Sequence, residues 1–444
     1  MTEQISPPAG TDEPAAAPAD GLADGLADVP TDVPADGPAG AGFSRRALLG
    51  GAGAGLAVGA GAGVLGSRTL GAQRGAGGAA SARQLGRAAV PFHGAHQAGI
   101  VQPAQARAQL AGFDLAPGAG RDGLRRLLKN WSETAALLTR GEQAGAHENQ
   151  IALDAGPCAL TVTFGFGSSL FDKAGLTAQR PPQLAPLPDF PEDAIDRSRS
   201  DGDLWVQIGA DDALVAFHAL RVLQQQAAGL AALRWQMSGF SRTPGATDRP
   251  MTARNLMGQL DGTNNPKPAD PDFAAKVFAD GPGWLAGGTY VVFRRIRMLL
   301  DNWENLPTDR QERVIGRRKA DGAPLSGGTE STPVDLAKQN DDGLLAIPVD
   351  AHIRVAAPAS NSGAAMLRRG FSYQDGLLPD GSLDAGLLFI AFQADPARGF
   401  VPVQRRLSRG DSLSRFLRHE ASGLYAVLPG AQEGGYVGQA LLEG

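Results

Sequence analysis

Residues 258–266 of this 444-residue chain read Gly-Gln-Leu-Asp-Gly-Thr-Asn-Asn-Pro, a combination that is typical of a tight turn. Glycine adopts positive φ angles, asparagine tolerates them, and proline ends regular structure. Taken alone, the pattern favours a turn in which Asp261 acts as a cap by accepting hydrogen bonds from the local backbone. The turn separates two stretches in which strands and helices alternate, so it marks the middle of the fold.

Upstream of the turn, the sequence predicts two strands and a helix. Residues 160–164 and 204–209 are short apolar segments that are rich in strand-forming residues. A helix is expected to follow from Asp211, because apolar residues recur at helical spacing on one face. These residues are Ala216, Leu220, Leu223 and Ala227.

Downstream of the turn, the same kinds of element recur. Residues 289–298 predict a strand, and the sequence Thr-Asp-Arg-Gln at 308–311 has the form of a capping box that opens a helix. Residues 387–392 predict a buried strand and residues 425–428 another. This mixed order favours an α+β arrangement in two similar halves over an unbroken series of β-α-β units.

The N-terminal part of the chain has a different composition. Residues 1–40 are mainly Pro, Ala, Asp and Gly, so they cannot offset their ordering entropy and are predicted to be disordered. Residues 44–49, Ser-Arg-Arg-Ala-Leu-Leu, precede an uncharged run of small and apolar residues. The alternatives are a flexible linker with an accidental arginine pair and a twin-arginine export signal, which the pattern resembles.

The export interpretation assigns residues 41–82 to a signal peptide, with the small-x-small sequence at 80–82 as its cleavage site. The twin-arginine translocase would then carry the folded protein to the periplasm, the cell envelope or the extracellular space. No cysteine directly follows the apolar run, so a lipid anchor is not expected.

Charge and cysteine content exclude some classes of protein. A net charge of −5 without a clustered basic face argues against nucleic acid as a partner. Cys158 is the single cysteine, so the chain cannot form an intrachain disulfide. We interpret Cys158 as a small buried hydrophobic residue.

Three positions could carry chemistry: Asp261 in the turn, His352 at the end of a strand-like stretch, and Arg368 in an arginine pair. Each has an ordinary structural interpretation when taken alone. Together they fit a haem site, in which a histidine binds the iron. An aspartate can move a proton between the oxygens of peroxide, and an arginine can stabilise the negative charge that develops.

His93 and His96 are spaced as a metal pair could be, but no cysteine or carboxylate lies near them in the sequence. We interpret them as structural or pocket-lining residues. The chain has no zinc-ligand pattern, phosphate-binding loop or nucleophile elbow.

The Gly-x-x-Asp-Gly sequence at 258–262 resembles the signature of the dye-decolorising peroxidase family. Four other blocks resemble that family in the same order, from Pro91 towards the C-terminus, and they are most similar to its exported bacterial branch. That branch includes the deferrochelatase/peroxidase of the ferrous-iron uptake system. The supporting blocks are residues 91–100, 311–312, 315–317 and 322–325.

The resemblance implies an α+β fold of two ferredoxin-like domains with antiparallel sheets, over residues 88–255 and 256–444. One b-type haem (heme b) per chain would be held mainly by the C-terminal domain. His352 would be the axial ligand, Asp261 the distal acid-base, and Arg368 the distal cation in contact with the haem. The remaining implied residues are Gly262, Thr263 and Asn264, which match haem-lining positions, and Asp411, a candidate for the carboxylate behind the axial ligand.

Two departures from the branch stand out. Its members often carry Asn-Pro-Arg after the axial histidine, whereas this chain has Ala-Pro-Ala at 357–359 and so lacks one basic contact to a haem propionate. Some relatives have an asparagine two residues after the catalytic arginine, where this chain has Gly370.

The resemblance predicts a peroxidase that uses hydrogen peroxide to oxidise bulky phenolic or dye-like organic reductants. The alternatives are a deferrochelatase, which releases iron from haem and leaves the porphyrin intact, and a non-catalytic haem-binding or iron-handling protein. Asp261 and Arg368 favour the peroxidase over a carrier, since a carrier needs no distal acid-base pair. Iron-uptake proteins as partners and a homo-oligomer remain open.

Overall fold

The computed structural model describes residues 85–248, 250–281 and 283–444. The predicted disordered segment, the twin-arginine signal and its cleavage site all precede residue 85 and lie outside the described residues. Within the described part of the chain, no helix combines the length and apolar character needed to cross a membrane. All described residues belong to one compact unit.

The described residues contain nine strands, and each pairing between them is antiparallel. In chain order they are β1 (Arg107–Leu115), β2 (Thr161–Gly167), β3 (Leu204–Ala210), β4 (Ala231–Phe240), β5 (Thr289–Met298), β6 (Leu367–Arg368), β7 (Phe371–Leu377), β8 (Leu383–Gln393) and β9 (Leu417–Val427).

Helices alternate with these strands. They are α1 (Gly120–Leu138), α2 (Ser168–Lys173), α3 (Ala213–Gln226), α4 (Phe273–Val277), α5 (Leu300–Glu304), α6 (Thr308–Ile315), α7 (His352–Val355), α8 (Phe400–Gly410) and α9 (Gln439–Glu443).

Both halves of the chain have the strand order of a ferredoxin-like domain. The N-terminal order is β2-β3-β1-β4, with α1 after β1 and α3 after β3. The C-terminal order is β7-β8-β5-β9, and β6 pairs with the same strand, β8, as β7 does. In each half the second, third, first and fourth strands are therefore neighbours, which is the β-α-β-β-α-β arrangement.

The two sheets join at both edges. β2 pairs with β9 through three residue pairs that begin at Gly165↔Val427, and β4 meets β7 at Phe240↔Ser372. The strands therefore form a closed ring, and its interior is filled by aromatic side chains from both halves. Trp235 and Phe293 stack there with ring centroids 5.1 Å apart. The predicted α+β fold of two ferredoxin-like halves is confirmed.

Most of the local predictions are confirmed. The strand predicted at 289–298 is β5, and the segments 160–164, 204–209, 387–392 and 425–428 fall largely within β2, β3, β8 and β9. Helix α3 begins at Ala213, two residues later than expected, because Asp212 is its cap and accepts hydrogen bonds from the backbone of Leu214 and Val215. Cys158 is buried in the N-terminal core, where burial raises the pKa of its thiol.

Two local predictions are wrong. Helix α6 has no capping box, because Pro307 occupies the cap position and Thr308 is already helical. Gln311 instead donates to the backbone oxygens of Trp303 and Leu306, at 2.9 and 3.1 Å. The stretch at 351–358 does not end a strand, because His352–Val355 forms the short helix α7.

Candidate functional site

The outer face of the C-terminal sheet carries apolar side chains that the protein does not fully cover. Along β8, Leu388, Ile390 and Phe392 point into the closed ring and are fully buried. Leu387 and Phe389 alternate with them, so they lie on the other face, and both are partly exposed. Partly exposed apolar residues also border this face in the surrounding cluster; they are Leu187, Met366, Val401 and Leu424.

Arg368 lies at the edge of this face. It pairs with Ala391 of β8, and Ala391 shares the outer face with Phe389, so the Arg368 side chain is on that face too. Its Nη1 donates to Oδ1 of Asp261 at 2.7 Å. The Arg368 and Asp261 side chains remain 31% and 28% exposed, so solvent-sized molecules can reach the pair.

The loop that carries Asp261 is a tight turn, as predicted. Backbone hydrogen bonds join Asn255 N to Gln259 O and Asp261 N to Ala253 O, both at 3.0 Å, and Gly258 has a φ of +79°. The interpretation of Asp261 as the cap is wrong. Oδ1 of Asn255 accepts from the backbone of Met257 at 3.0 Å, which leaves the Asp261 carboxylate available for Arg368.

His352 is the first residue of α7, and its Nδ1 lies 2.7 Å from Oδ2 of Asp411. Asp411 follows α8 directly, and its side chain is 2% exposed. Its Oδ1 accepts from the backbone of Leu413 at 2.9 Å, which fixes the carboxylate. Burial alone lowers the pKa of His352, but the charge of Asp411 and its hydrogen bond outweigh burial and raise the pKa above its ordinary value.

The two pairs are neighbours in space. Both Arg368 and Asp261 act electrostatically on the His352 imidazole, Arg368 to lower its pKa and Asp261 to raise it. The structure thus brings together the three residues that the sequence proposed for chemistry and the carboxylate of Asp411, although they are spread over 150 positions of the chain, from Asp261 to Asp411 (411 − 261 = 150).

The three residues after Asp261, which the sequence proposed as haem-lining, differ in their contacts and exposure. Gly262 has a φ of +116°, and a β-carbon there would meet no atom closer than 3.7 Å. The hydroxyl of Thr263 donates to Oε1 of Glu330 at 2.9 Å, and Asn264 is exposed. The sequence reasoning missed Glu330, because no motif marks a carboxylate that the fold brings to the turn.

His93 and His96, near the start of the folded chain, have contacts of a different kind. Nδ1 of His96 bonds to the backbone oxygen of Gly287 at 2.7 Å, and its ring stacks on Phe278 with centroids 3.5 Å apart. His93 lines a cleft of about 470 Å³ together with Lys129 and Tyr436. Their interpretation as structural and pocket-lining residues is confirmed.

The described residues fit a haem. Nδ1 of His352 is bound by a buried carboxylate, which directs Nε2 outward as a metal ligand in the manner usual for metal-binding histidines. The partly exposed apolar face beside Arg368 matches the apolar faces of a porphyrin ring. A cation and a carboxylate within reach of the same site are the groups that peroxide cleavage requires.

A fold of two ferredoxin-like halves with this site in its C-terminal half defines a class of haem-dependent peroxidase. Comparison with known families agrees: residues 97–241 match the model of the Dyp-type peroxidase N-terminal domain, and residues 252–432 match that of the C-terminal domain. The chain belongs to the Dyp-type peroxidase family and is a haem peroxidase.

Individual relatives span most of the chain. A dye-decolorizing peroxidase of Thermobifida fusca is 44% identical over 363 residues, which cover 79% of this chain and 84% of the relative. A deferrochelatase of Escherichia coli K12 is 36% identical over 371 residues, covering 79% of this chain and 87% of that one. The solved structure of ferric DtpA from Streptomyces lividans is 62% identical with a TM-score of 0.80, and the match covers 81% of this chain and 99% of DtpA.

Proposed function

We propose that this chain is an exported peroxidase that uses hydrogen peroxide to oxidise bulky phenolic or dye-like reductants, with one b-type haem bound through His352. The observation that supports this most directly is the 2.7 Å ion pair between Arg368 and Asp261 next to the His352 imidazole. The dye-decolorizing relative from Thermobifida fusca supports the substrate class.

A bound haem supplies the redox-active iron that takes up the oxidising equivalents of peroxide and passes them to the reductant. His352 would hold the iron through Nε2, and Asp411 would keep the Nδ1 proton in place and make the imidazole a stronger donor.

Asp261 and Arg368 have different roles in the cleavage of peroxide. Oδ1 of Asp261 is engaged by Arg368, whereas Oδ2 has only a long 3.5 Å contact with Nδ2 of Asn255. Oδ2 is therefore the atom that takes a proton from one peroxide oxygen and returns it to the departing oxygen. The Arg368 guanidinium stabilises the negative charge on that departing oxygen, because arginine stays protonated at any working pH.

The alternative is a deferrochelatase, and the name of the Escherichia coli relative supports it. One experiment separates the two: the purified haem-loaded protein is incubated with a dye and peroxide, and separately without oxygen or peroxide. Peroxide-dependent dye loss with little fluorescence from metal-free protoporphyrin supports the peroxidase. Stoichiometric protoporphyrin released at a rate comparable to dye turnover makes deferrochelatase the better assignment.

A further inference from the structure

Arg368 lies on β6, a strand of two residues, and we propose that Asn265 is the residue that positions it for reaction with peroxide. This inference rests on the proposed function, because it assumes that Arg368 acts on peroxide. β6 pairs with β8 only through Leu367↔Phe392 and Arg368↔Ala391. So short a ladder cannot by itself fix the direction of a long side chain at its end.

The side-chain amide of Asn265 takes up both backbone polar groups of Arg368. Its Nδ2 donates to the Arg368 carbonyl oxygen at 2.7 Å, and the Arg368 N–H donates to Oδ1 at 3.2 Å. On the other side of β6, β8 forms a hydrogen bond with the next residue: Arg369 N donates to Ile390 O at 2.8 Å. Asn265 therefore replaces the peptide group of an adjacent strand, which would present the same donor and acceptor.

Asn265 belongs to the loop that also carries Asp261. Its backbone N–H donates to the carbonyl oxygen of Gly262 at 3.0 Å, which closes a turn directly after Asp261. The loop thus holds Arg368 twice, by the guanidinium through Asp261 and by the backbone through Asn265. Because both contacts come from one loop, the separation of cation and carboxylate depends on the amide of Asn265.

Arg369 holds the opposite face of β6. Its side chain is buried, and its guanidinium donates to the backbone oxygens of Gln102 and Pro103 and to Oε1 of Gln105. These contacts anchor β6 through Arg369, but they do not involve the backbone N–H and carbonyl oxygen of Arg368, which bond to Asn265. Asn265 is therefore the side chain that fixes the Arg368 backbone, from which the guanidinium reaches Asp261.

The test is a double-substitution cycle on the haem-loaded protein. The rate at which peroxide changes the haem absorption spectrum is measured by stopped flow for Asn265→Leu, Arg368→Leu and the combined variant. Arg368→Leu should slow this step by on the order of 100-fold or more, because the charge is lost. Asn265→Leu should slow it by roughly 10- to 100-fold, since a displacement of about 1 Å in a catalytic group costs about that much. The combined variant should be no slower than Arg368→Leu, because no guanidinium is left to position.

Asn130→Leu is the matched control, because Asn130 is an exposed asparagine on α1 in the N-terminal half. Its peroxide step should equal that of the unmodified protein. The oxidation of dye at saturating peroxide should keep its KM in Asn265→Leu, because the polar groups of this amide are bound to the Arg368 backbone.

A second readout does not depend on activity. Hydrogen–deuterium exchange at the Arg368 amide should speed up in Asn265→Leu, which removes its acceptor, and stay slow in Asn265→Asp, which keeps it. Asn265→Asp should still slow the peroxide step, because an ionised carboxylate cannot donate to the Arg368 carbonyl oxygen. If Asn265→Leu does not fold, Asn265→Asp takes its place in the cycle.

The outcomes distinguish the two proposals. A normal peroxide step in Arg368→Leu overturns the proposed function and this inference with it. A slow Arg368→Leu with a normal Asn265→Leu, or losses that add in the combined variant, overturns the positioning role alone. Unchanged exchange at the Arg368 amide in Asn265→Leu also overturns it.

Discussion

Nδ1 of His352 and Oδ2 of Asp411 lie 2.7 Å apart although 59 residues separate them in the chain. The contact joins the start of α7 to the end of α8 and fixes the imidazole through a carboxylate that is almost completely buried. Because Nδ1 is occupied, Nε2 is the nitrogen that can bind a metal. This relationship gives rise to the first two predictions.

Replacing His352 with alanine should remove most of the bound haem or give an absorption spectrum that lacks a histidine-ligated ferric centre. The measurement is the haem content and Soret band of the purified variant. His147→Ala is the control, because His147 is exposed and should leave both unchanged. Full haem occupancy with an unaltered Soret band in His352→Ala would count against the axial assignment.

Replacing Asp411 with asparagine should change the reduction potential of the iron more than the haem content. Asparagine can still accept the Leu413 N–H, so the local backbone should hold, but a neutral amide makes the His352 imidazole a weaker donor. A weaker donor stabilises ferric iron less, so the potential should rise. Potentiometric titration checks this, with the exposed Asp309→Asn as control, and an unchanged potential contradicts it.

Replacing Arg368 with leucine should slow the reaction with peroxide by on the order of 100-fold or more, because a preorganised charge is lost. Asp261→Asn should slow it as well wherever proton transfer limits the rate. Stopped-flow rates of the peroxide reaction test this, with the exposed Arg310→Leu as control, and normal rates in both variants would contradict the assignment of Asp261 and Arg368 to peroxide cleavage.

The folded protein should lose stability as the pH falls from about 6.5 towards about 3. Burial, together with the charge of Arg294, lowers the pKa of His419 from 6.5 to about 3. In this window the unfolded chain takes up a proton at His419 that the folded protein refuses, so unfolding becomes easier by roughly 1.4 kcal/mol per pH unit.

The check is the free energy of unfolding measured from pH 7 to pH 4 for the original protein and for His419→Gln. The slope should be shallower in the variant, because glutamine does not titrate. Equal slopes would mean that other groups cause the acid sensitivity.

Replacing Arg45 and Arg46 with lysine should trap the precursor inside the cell. The prediction follows from the arginine pair before an uncharged run, the pattern of the twin-arginine signal. Cell fractionation followed by immunoblotting measures how the protein is distributed between the inside and the outside of the cell. The control replaces Arg68 and Arg74 with lysine. Export of the lysine variant at the normal level would argue for a linker instead.

The sequence by itself determined the class of fold and singled out the candidate site residues. Strands such as β3 and β5 were predictable because their composition and alternation reflect the local preference for extended backbone and the burial of side chains. The turn at 258–266 was predictable because only a few residue types adopt its backbone angles. Asp261, His352 and Arg368 were proposed from their chemistry and from a family pattern that spans both halves of the folded chain.

Only the tertiary structure decided what those residues contact. Asp261 meets Arg368 across 107 positions, and the two-residue β6 is too short to leave a period in the sequence. For the same reason, no sequence pattern predicted the contact of Asn265 with Arg368. The sequence also predicted Thr308 as a helix cap, although Pro307 occupies the cap position. Local sequence patterns reflect the conformational preferences of neighbouring residues. The contacts above depend instead on the register of β8 and β9 against β5, and that register is set by many weak interactions acting together.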